Sequence, residues 1–468
     1  MSNRPETNKQ SCPVYKKCGG CQLQNLSYPE QLEFKQRKVE KLLKRFCTVE
    51  KIIGMKTPYH YRNKVQAAFY TDKKGKIISG VYQSGSHHVV GIDSCQTEDV
   101  IADKIIVAVR KLLPSFRMTT YNEDTGKGFL RHILVKRGFA TNQIMLVLVT
   151  GTPVFPSKNN FVKAILKQFP EITTIVQNIN PYRTNLVLGD NQKVLYGKGY
   201  IEDILCGCRF RISPKSFYQI NPVQTEVLYG KAIEFANLKG NETVLDTYCG
   251  IGTIGIIAAK NGAGNVIGAE LNGDAVRDAI VNARANNLKN IRFYKADAGE
   301  FMREAADEDE KPDVVFMDPP RAGSDRKFLD SLIKMSPKKV VYVSCNPETL
   351  ARDLAYLTQN SPYKAQKIQP VDMFPHTAHI ETVCLLSKLN AKQHIEVDIH
   401  MDELDLTDAE KKATYSEIKE YVLEHTGLKV SSLYIAQVKQ KCGIIERENY
   451  NKPKSDDAKQ PQCPPDKE

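Results

Sequence analysis

At 468 residues, 41% of them hydrophobic, the chain is long enough for two to four domains with ordinary cores. It holds no run of eighteen apolar residues and opens on MSNRPETNKQSC without an apolar stretch, which argues against a membrane-spanning helix or a secretory signal and for a cytoplasmic protein. The formal net charge of +12 is uneven: residues 1–70 carry 14 Lys/Arg against 5 Asp/Glu, and residues 391–468 carry 12 against 16.

Residues 1–55 combine cysteines with a basic amphipathic helix, QLEFKQRKVEKLLKR, predicted over 31–45. The basic face fits either a polyanion such as nucleic acid or plain solvation, with equal weight. The cytoplasm is reducing, so the twelve cysteines point to metal or catalytic roles rather than disulfides. Cys12, Cys18 and Cys21 are spaced as metal ligands, and Cys95 in GIDSCQTED can complete four. Spacing alone permits zinc as well as an iron–sulfur cluster.

Residues 56–210 read as a strand-rich central domain. VQAAFY, IISGVY, FLRHILVKR, NQIMLVLVT and TTIVQNIN are β-branched or aromatic runs separated by turns. From 211 to 390, short apolar runs (TVLDTY, NVIGAEL, DVVFMD, KVVYVSC) alternate with helical stretches. That alternation predicts an α/β domain with a parallel sheet covered on both faces. Residues 391–468 form a helical extension, with two helices predicted to join at Gly427 and a disordered tail from Asn451. No feature marks an obligate protein partner.

TVLDTYCGIGTIGIIAAKNG is a strand, a glycine turn and a helix, with Gly250, Gly252 and Gly255 spelling GxGxxG. Alone, this also fits a dinucleotide fold. Asp246 at the strand end changes the balance: a carboxylate is awkward beside a pyrophosphate but suits a cationic sulfonium and an ammonium group. Glu270 ends the next strand, where it can accept from both ribose hydroxyls, and Asp297 is placed to meet an adenine amine. S-adenosylmethionine is the expected cofactor.

DVVFMDPPRAG is a buried strand ending in Asp318, and ligands of such sheets bind outside the carboxyl ends of strands. Amino-group methyltransferases carry an aromatic residue after a similar Pro-Pro element. Here Arg321 stands in its place, against amine methylation. KVVYVSCNPETLARDL ends its strand in Cys345, a candidate nucleophile whose alternative is a buried structural thiol. Carbon 5 of a pyrimidine is a weak nucleophile. Thiolate addition at carbon 6 makes it an enolate, and a base must later remove the carbon-5 proton. HTAHIETVCLL supplies His376, His379 and Glu381, and Glu381 is the candidate base.

In this combination and order, CxxxxxCGGC, YRNKVQ, SFYQINPVQTEVLY, LDTYCGIGTIG, DPPRAG, SCNPETLARDL and HIETVCLL resemble the RNA (uracil-C5)-methyltransferases over about residues 12–390. The resemblance implies a Rossmann-like catalytic domain that makes 5-methyluridine in RNA. It places the nucleophile on Cys345, the base on Glu381, and cofactor contacts on Gln219, Tyr248, Glu270 and Asp318. Asp318 is also placed to meet uracil nitrogen 3. It implies a [4Fe-4S] cluster on Cys12, Cys18, Cys21 and Cys95, as in many of the ribosomal-RNA enzymes, with zinc the alternative. Ribosomal RNA is the expected substrate; a transfer-RNA uridine or cytosine carbon 5 are the alternatives. An oxidoreductase using GxGxxG with an iron–sulfur centre, and a non-catalytic RNA-binding module, are the readings from other classes. Only eleven residues precede Cys12, so the small β-barrel that begins some relatives is not expected, and the C-terminal extension is not part of the family core.

Overall fold

Glu30 turns back on Ser27 to open the first long helix. Its carboxylate accepts from the Ser27 N–H at 2.8 Å, a reciprocal capping box. The computed structural model describes residues 12–388 apart from 84, 85, 87, 185 and 309, together with 415–426 and 435. A one-turn helix, α1 (Tyr15–Cys18), precedes that long helix, α2 (Tyr28–Leu43). The helix expected over 31–45 is therefore present three residues early. Its buried seam is Gln31, Lys35, Val39 and Leu43, so every fourth residue faces inward and two of the four are polar.

The first sheet is built from β1 (Lys64–Thr71), β2 (Ile77–Tyr82) and β3 (Val89–Gly91), then helix α3 (Val100–Leu112). It continues through β4 (Leu130–Arg137), β5 (Ile144–Thr150), helix α4 (Lys158–Gln168), β6 (Ile172–Ile179) and β7 (Asn191–Tyr196). The order is β3-β2-β1-β4-β5-β6-β7. Only β5 and β6 run parallel, and α4 makes the crossover that a parallel pair requires. The strand-rich reading of this region missed α3 and α4. The cause is compositional: α3 is VIADKIIVAVRKL, full of β-branched residues that favour strands. Tertiary burial of Ala102, Ile105, Ile106 and Val109, and an Asp99 cap accepting from the Ile101 and Ala102 N–H groups, make it a helix. A hairpin follows, β8 (Ile201–Leu205) with β9 (Cys208–Ile212).

The second sheet carries the site. Helix α5 (Pro222–Ala236) leads into β10 (Thr243–Thr247), α6 (Thr253–Lys260), β11 (Asn265–Glu270), α7 (Gly273–Ala285), β12 (Ile291–Lys295) and α8 (Ala298–Asp307). Then come β13 (Val314–Met317), α9 (Arg326–Met335), β14 (Lys339–Ser344), α10 (Pro347–Asn360), β15 (Tyr363–Val371) and β16 (Glu381–Lys388). The order is β12-β11-β10-β13-β14-β16-β15. All pairs are parallel except those of β16, which runs against both β14 and β15. This is a Rossmann-like α/β sheet; β13 is buried along its whole length and β14 from its second residue on, as a sheet covered on both faces demands. The strand order reverses between β10 and β13, which opens a crevice at their carboxyl ends.

Residues 389–468 form a second unit. Its described helix is α11 (Tyr415–Thr426). The expected helix joint at Gly427 and the tail from Asn451 lie outside the described residues. Among the described residues, no helix is long and apolar enough to cross a membrane.

Candidate active site

Strand register converges five chemically active residues on one edge of the second sheet. Thr247 pairs with Met317, Met317 with Tyr342, and Ser344 with Thr382. The residues just beyond these pairs are Tyr248, Asp318 and Cys345. Because β16 is antiparallel, its first residue, Glu381, arrives at the same edge. Glu270 ends β11 on that side too. These five border one cavity of about 410 Å³.

The cofactor half is shaped by the turn after β10. Tyr248, Gly250 and Gly252 all take left-handed φ values, +64°, +56° and +81°. A Cβ on Gly252 would stand 2.7 Å from the Phe293 ring, so this close approach requires glycine. Gly250 borders the cavity, whereas Gly252 caps α6 behind it. Asp246 is buried and accepts the Gly255 N–H at 2.7 Å. Burial, helped by the nearby Asp318 and Glu270 charges, pushes its carboxyl up to about 7. Glu270 accepts from the Gly250 N–H at 3.0 Å and the Asn272 N–H at 2.7 Å, one on each oxygen. Each oxygen keeps a lone pair free for a ribose hydroxyl. Asp297 is not among the residues lining the cavity; it is exposed and caps α8, accepting from Gly299 and Glu300.

Gln219 reaches the cavity from the loop between β9 and α5. Lys136, fully buried, donates to the Ser213 and Ser216 carbonyls at 2.9 and 2.8 Å, and Asp278 accepts from both serine hydroxyls. That loop also delivers Phe217, 62% exposed at the cavity wall. Phe217 was missed in the sequence, although it lies two residues before Gln219 in the same motif. Tyr229, at the end of that motif, and Phe374, which no local signal marks, also line the cavity.

At the catalytic end, burial pushes Asp318 up to about 7. The Cys345 thiol is pushed up to about 11, first by burial and then by the Glu381 and Asp318 charges, with the Arg321 guanidinium opposing. Glu381 is held well above the usual carboxylate range by burial, then by Asp318, again with Arg321 opposing. Asn346 ties the two strand-end loops together. Its side chain accepts the Glu348 N–H at 3.0 Å and donates to the Arg321 carbonyl at 3.3 Å.

Cys12, Cys18, Cys21 and Cys95 are all free thiols bordering one small cavity between the α1 region and the segment before α3. Among the described residues, however, no three His, Cys, Asp or Glu side chains stand close enough together to hold a metal ion.

Asp246, Glu270, Asp318 and Glu381 put four carboxyl groups around one cavity. Glu270, with Asp246 and Asp318 once they ionise, would repel a dinucleotide pyrophosphate and attract a sulfonium and an ammonium. The fold and this cavity define an S-adenosylmethionine-dependent methyltransferase. The family described as tRNA (uracil-5-)-methyltransferase matches residues 184–389. An uncharacterized RNA methyltransferase of Bacillus cereus is 43% identical, over 82% of this chain and 84% of its own length. One from Listeria monocytogenes is 46% identical over 80% and 83%. The crystal structure of Pyrococcus abyssi tRNA (uracil-54, C5)-methyltransferase with S-adenosyl-L-homocysteine superposes with a TM-score of 0.67 at 31% identity, covering 78% of this chain and 85% of that one. The chain belongs to the tRNA (uracil-5-)-methyltransferase family and is an S-adenosylmethionine-dependent RNA (uracil-C5)-methyltransferase.

One consequence concerns pH. Asp246 and Asp318 border the cavity and burial raises both carboxyls to about 7, so the negative charge that would attract a cationic cofactor is lost as pH falls below 7. The cofactor's own amine stays protonated below about 7.7. Affinity for S-adenosylmethionine should therefore weaken about tenfold per pH unit for each such carboxyl as pH falls from 7 to 5.5. Titration calorimetry across that range checks this, and a flat affinity would contradict it.

Proposed function

We propose that this enzyme methylates carbon 5 of a uridine in ribosomal RNA through a covalent adduct on Cys345. The observation that carries the reading is the register that sets Cys345 beside Glu381, with Asp318 on the neighbouring strand. The Cys345 sulfur bonds to carbon 6 of the ring, and the electron pair of the carbon 5–carbon 6 bond moves toward the carbonyl. Arg321 holds a positive charge near the thiolate and the ring anion. When bound, S-adenosylmethionine supplies the methyl group that carbon 5 takes. Glu381, in its ionised form, then removes the carbon-5 proton, the double bond re-forms, and the sulfur–carbon bond breaks to return the thiolate. One proton is released per methyl transferred. Asp318 faces the ring from the adjacent strand and is placed to accept from nitrogen 3. Gln219, Tyr248 and Glu270 hold the cofactor, with Asp246, Gly250 and Gly252 shaping its turn.

Cys12, Cys18, Cys21 and Cys95 are read as the ligands of a [4Fe-4S] cluster. The spacing of the four cysteines and the one small cavity they border support this, as does the left-handed Gly19 that bends the chain between Cys18 and Cys21, while the thiols as they stand are not gathered to metal-binding distance. The chemistry needs no redox step, so the cluster is a structural staple beside the RNA surface. Anaerobically purified protein should contain about four irons per chain. Stoichiometric zinc without iron would contradict it. Lys41, Lys44 and Arg45 are exposed near the end of α2 and give a basic patch for RNA phosphates. We read 1–55 as the cluster and basic-helix region, 56–210 as the RNA-contacting domain, 211–390 as the catalytic domain and 391–468 as an extension, in a cytoplasmic protein.

Transfer RNA is the second reading, favoured by the substrate of the Pyrococcus enzyme. Mass mapping of 5-methyluridine in both RNAs from a strain lacking the gene decides. Loss of one ribosomal 5-methyluridine is the expected result. An unchanged ribosomal RNA with a missing transfer-RNA site would move the target to transfer RNA.

A further inference from the structure

The loop between β15 and β16 has little regular structure of its own, yet it forms one wall of the active site. It supplies Phe374 and His379 to the cavity and ends on Glu381. Several of its hydrogen-bonding groups are met by residues more than 300 positions earlier. Lys35, completely buried, pairs with Asp372 at 2.6 Å and donates to the Phe374 carbonyl at 3.0 Å. Tyr28 donates to the other Asp372 oxygen at 2.9 Å, and Tyr61 donates to the Pro375 carbonyl at 2.9 Å.

At the centre of this clamp is Gln31, 1% exposed. Its amide oxygen accepts the His376 backbone N–H at 2.9 Å. Its amide nitrogen donates to the Leu26 carbonyl at 3.0 Å and lies 3.2 Å from His376 Nδ1. His376 Nε2 lies 2.9 Å from the Pro58 carbonyl. A carbonyl can only accept, so Nε2 carries the hydrogen, and Nδ1 is left to accept from Gln31. Every polar group of the pair is therefore satisfied only when His376 is neutral in this one tautomer. Adding a proton at Nδ1 would set N–H against N–H. His376 is also held at a φ of +68°, a left-handed conformation that a non-glycine residue keeps only when its surroundings impose it. On the far side, the Leu23 N–H donates to the His376 carbonyl at 2.9 Å, and Gln22 accepts the Ala378 N–H at 3.2 Å.

We propose that Gln31 is a positioning residue for proton removal: through His376 it fixes the loop that delivers Glu381 to carbon 5. The proposal rests on the reading of Glu381 as the base. Gln31 touches neither substrate nor cofactor, since it lies outside the cavity lining. It acts on the late half of the reaction, because Cys345 and the cofactor turn are built from other strands.

The test uses full-length enzyme and RNA tritiated at carbon 5, so that methyl incorporation and tritium release are read separately. Gln31→Met keeps the volume and removes both polar contacts to His376. Methyl transfer should stay within a fewfold of wild type, while tritium release slows by about tenfold to a hundredfold, the effect of a base displaced by about an ångström. The methylated adduct should accumulate accordingly. Gln31→Glu supplies a second readout should the first variant fold poorly. Its carboxylate can accept from the backbone N–H of His376, and from Nδ1 once the imidazole is protonated. Tritium release in Gln31→Glu should recover as pH falls, a profile that neither wild type nor Gln31→Met shows. Unchanged tritium release in Gln31→Met, or a Gln31→Glu profile parallel to wild type, overturns the proposal. If Glu381→Gln itself gives no adduct, the base assignment has failed instead; an adduct with Glu381→Gln but none with Gln31→Met overturns the positioning role alone.

Discussion

Glu381→Gln enzyme should stop halfway, as a protein–RNA adduct that survives denaturing electrophoresis and already carries the transferred methyl group. The amide leaves the Cys345 thiol and the cofactor turn in place, so addition at carbon 6 and methyl transfer proceed. It cannot take up the carbon-5 proton, so the sulfur–carbon bond does not break. Cys345→Ala should fail at the opposite end, binding RNA and cofactor without linking to either. Loss of a nucleophile or its base costs about three or more orders of magnitude in turnover, so steady-state activity should vanish in both. Only the adduct tells them apart. Turnover by Cys345→Ala would return Cys345 to the status of a structural thiol.

The second large effect concerns how that thiol is awakened. In the free enzyme, burial and two neighbouring carboxylates push Cys345 up to about 11. At pH 7.5 only roughly 3 in 10,000 molecules then carry the thiolate. A unit positive charge ~5 Å away, at an effective dielectric of 20, is worth about 3 kcal/mol, or roughly two pKa units. The sulfonium supplies such a charge, and S-adenosylhomocysteine lacks it while filling the same space. Iodoacetamide should therefore alkylate Cys345 about tenfold to a hundredfold faster with S-adenosylmethionine bound than with S-adenosylhomocysteine. In the free enzyme the rate should rise about tenfold per pH unit from 7 toward 10, since the reactive form gains as the proton is lost. Equal rates with the two ligands would show that the cofactor charge does not activate the nucleophile, leaving Arg321 and the RNA as the agents. Such coupling would keep the thiol inert until the methyl donor is in place.

Which parts of this site could be read from the chain alone follows from which are local. The strands of the catalytic sheet are short apolar runs, each ending in its own signature, so the α/β architecture and the cavity edge at Asp318 and Cys345 were visible before any fold was known. Glu381 was harder, because its position depends on an antiparallel last strand that the pattern does not declare; the register with β14 shows why it arrives beside Cys345. Asp297 illustrates an ambiguity of chemistry. An aspartate before Ala-Gly-Glu serves as a helix cap, a ligand or both, and the cap on α8 is the part the fold displays. Lys35 was read as part of a basic helix face, yet it is buried against Asp372, 337 residues away. No window along the chain can contain both partners. Phe374 was invisible as a site residue, and Phe217 and Tyr229 were passed over inside a quoted motif, for a different reason: an aromatic side chain in a helix or loop reads as core until the fold shows what it faces.

If Cys345 attacks a uracil ring of RNA before carbon 5 is methylated, the intermediate can be caught. Fluorine at carbon 5 cannot leave as a proton does, so RNA containing 5-fluorouridine should trap the wild-type enzyme after methyl transfer. The direct measurement is mass spectrometry of peptides from enzyme incubated with such RNA and S-adenosylmethionine. The expected result is a single modified peptide, covering YVSCNPETLAR, with a methylated fluorouridine nucleotide on Cys345. A methyl-bearing RNA product with no cross-linked peptide, or a cross-link at another residue, would contradict it.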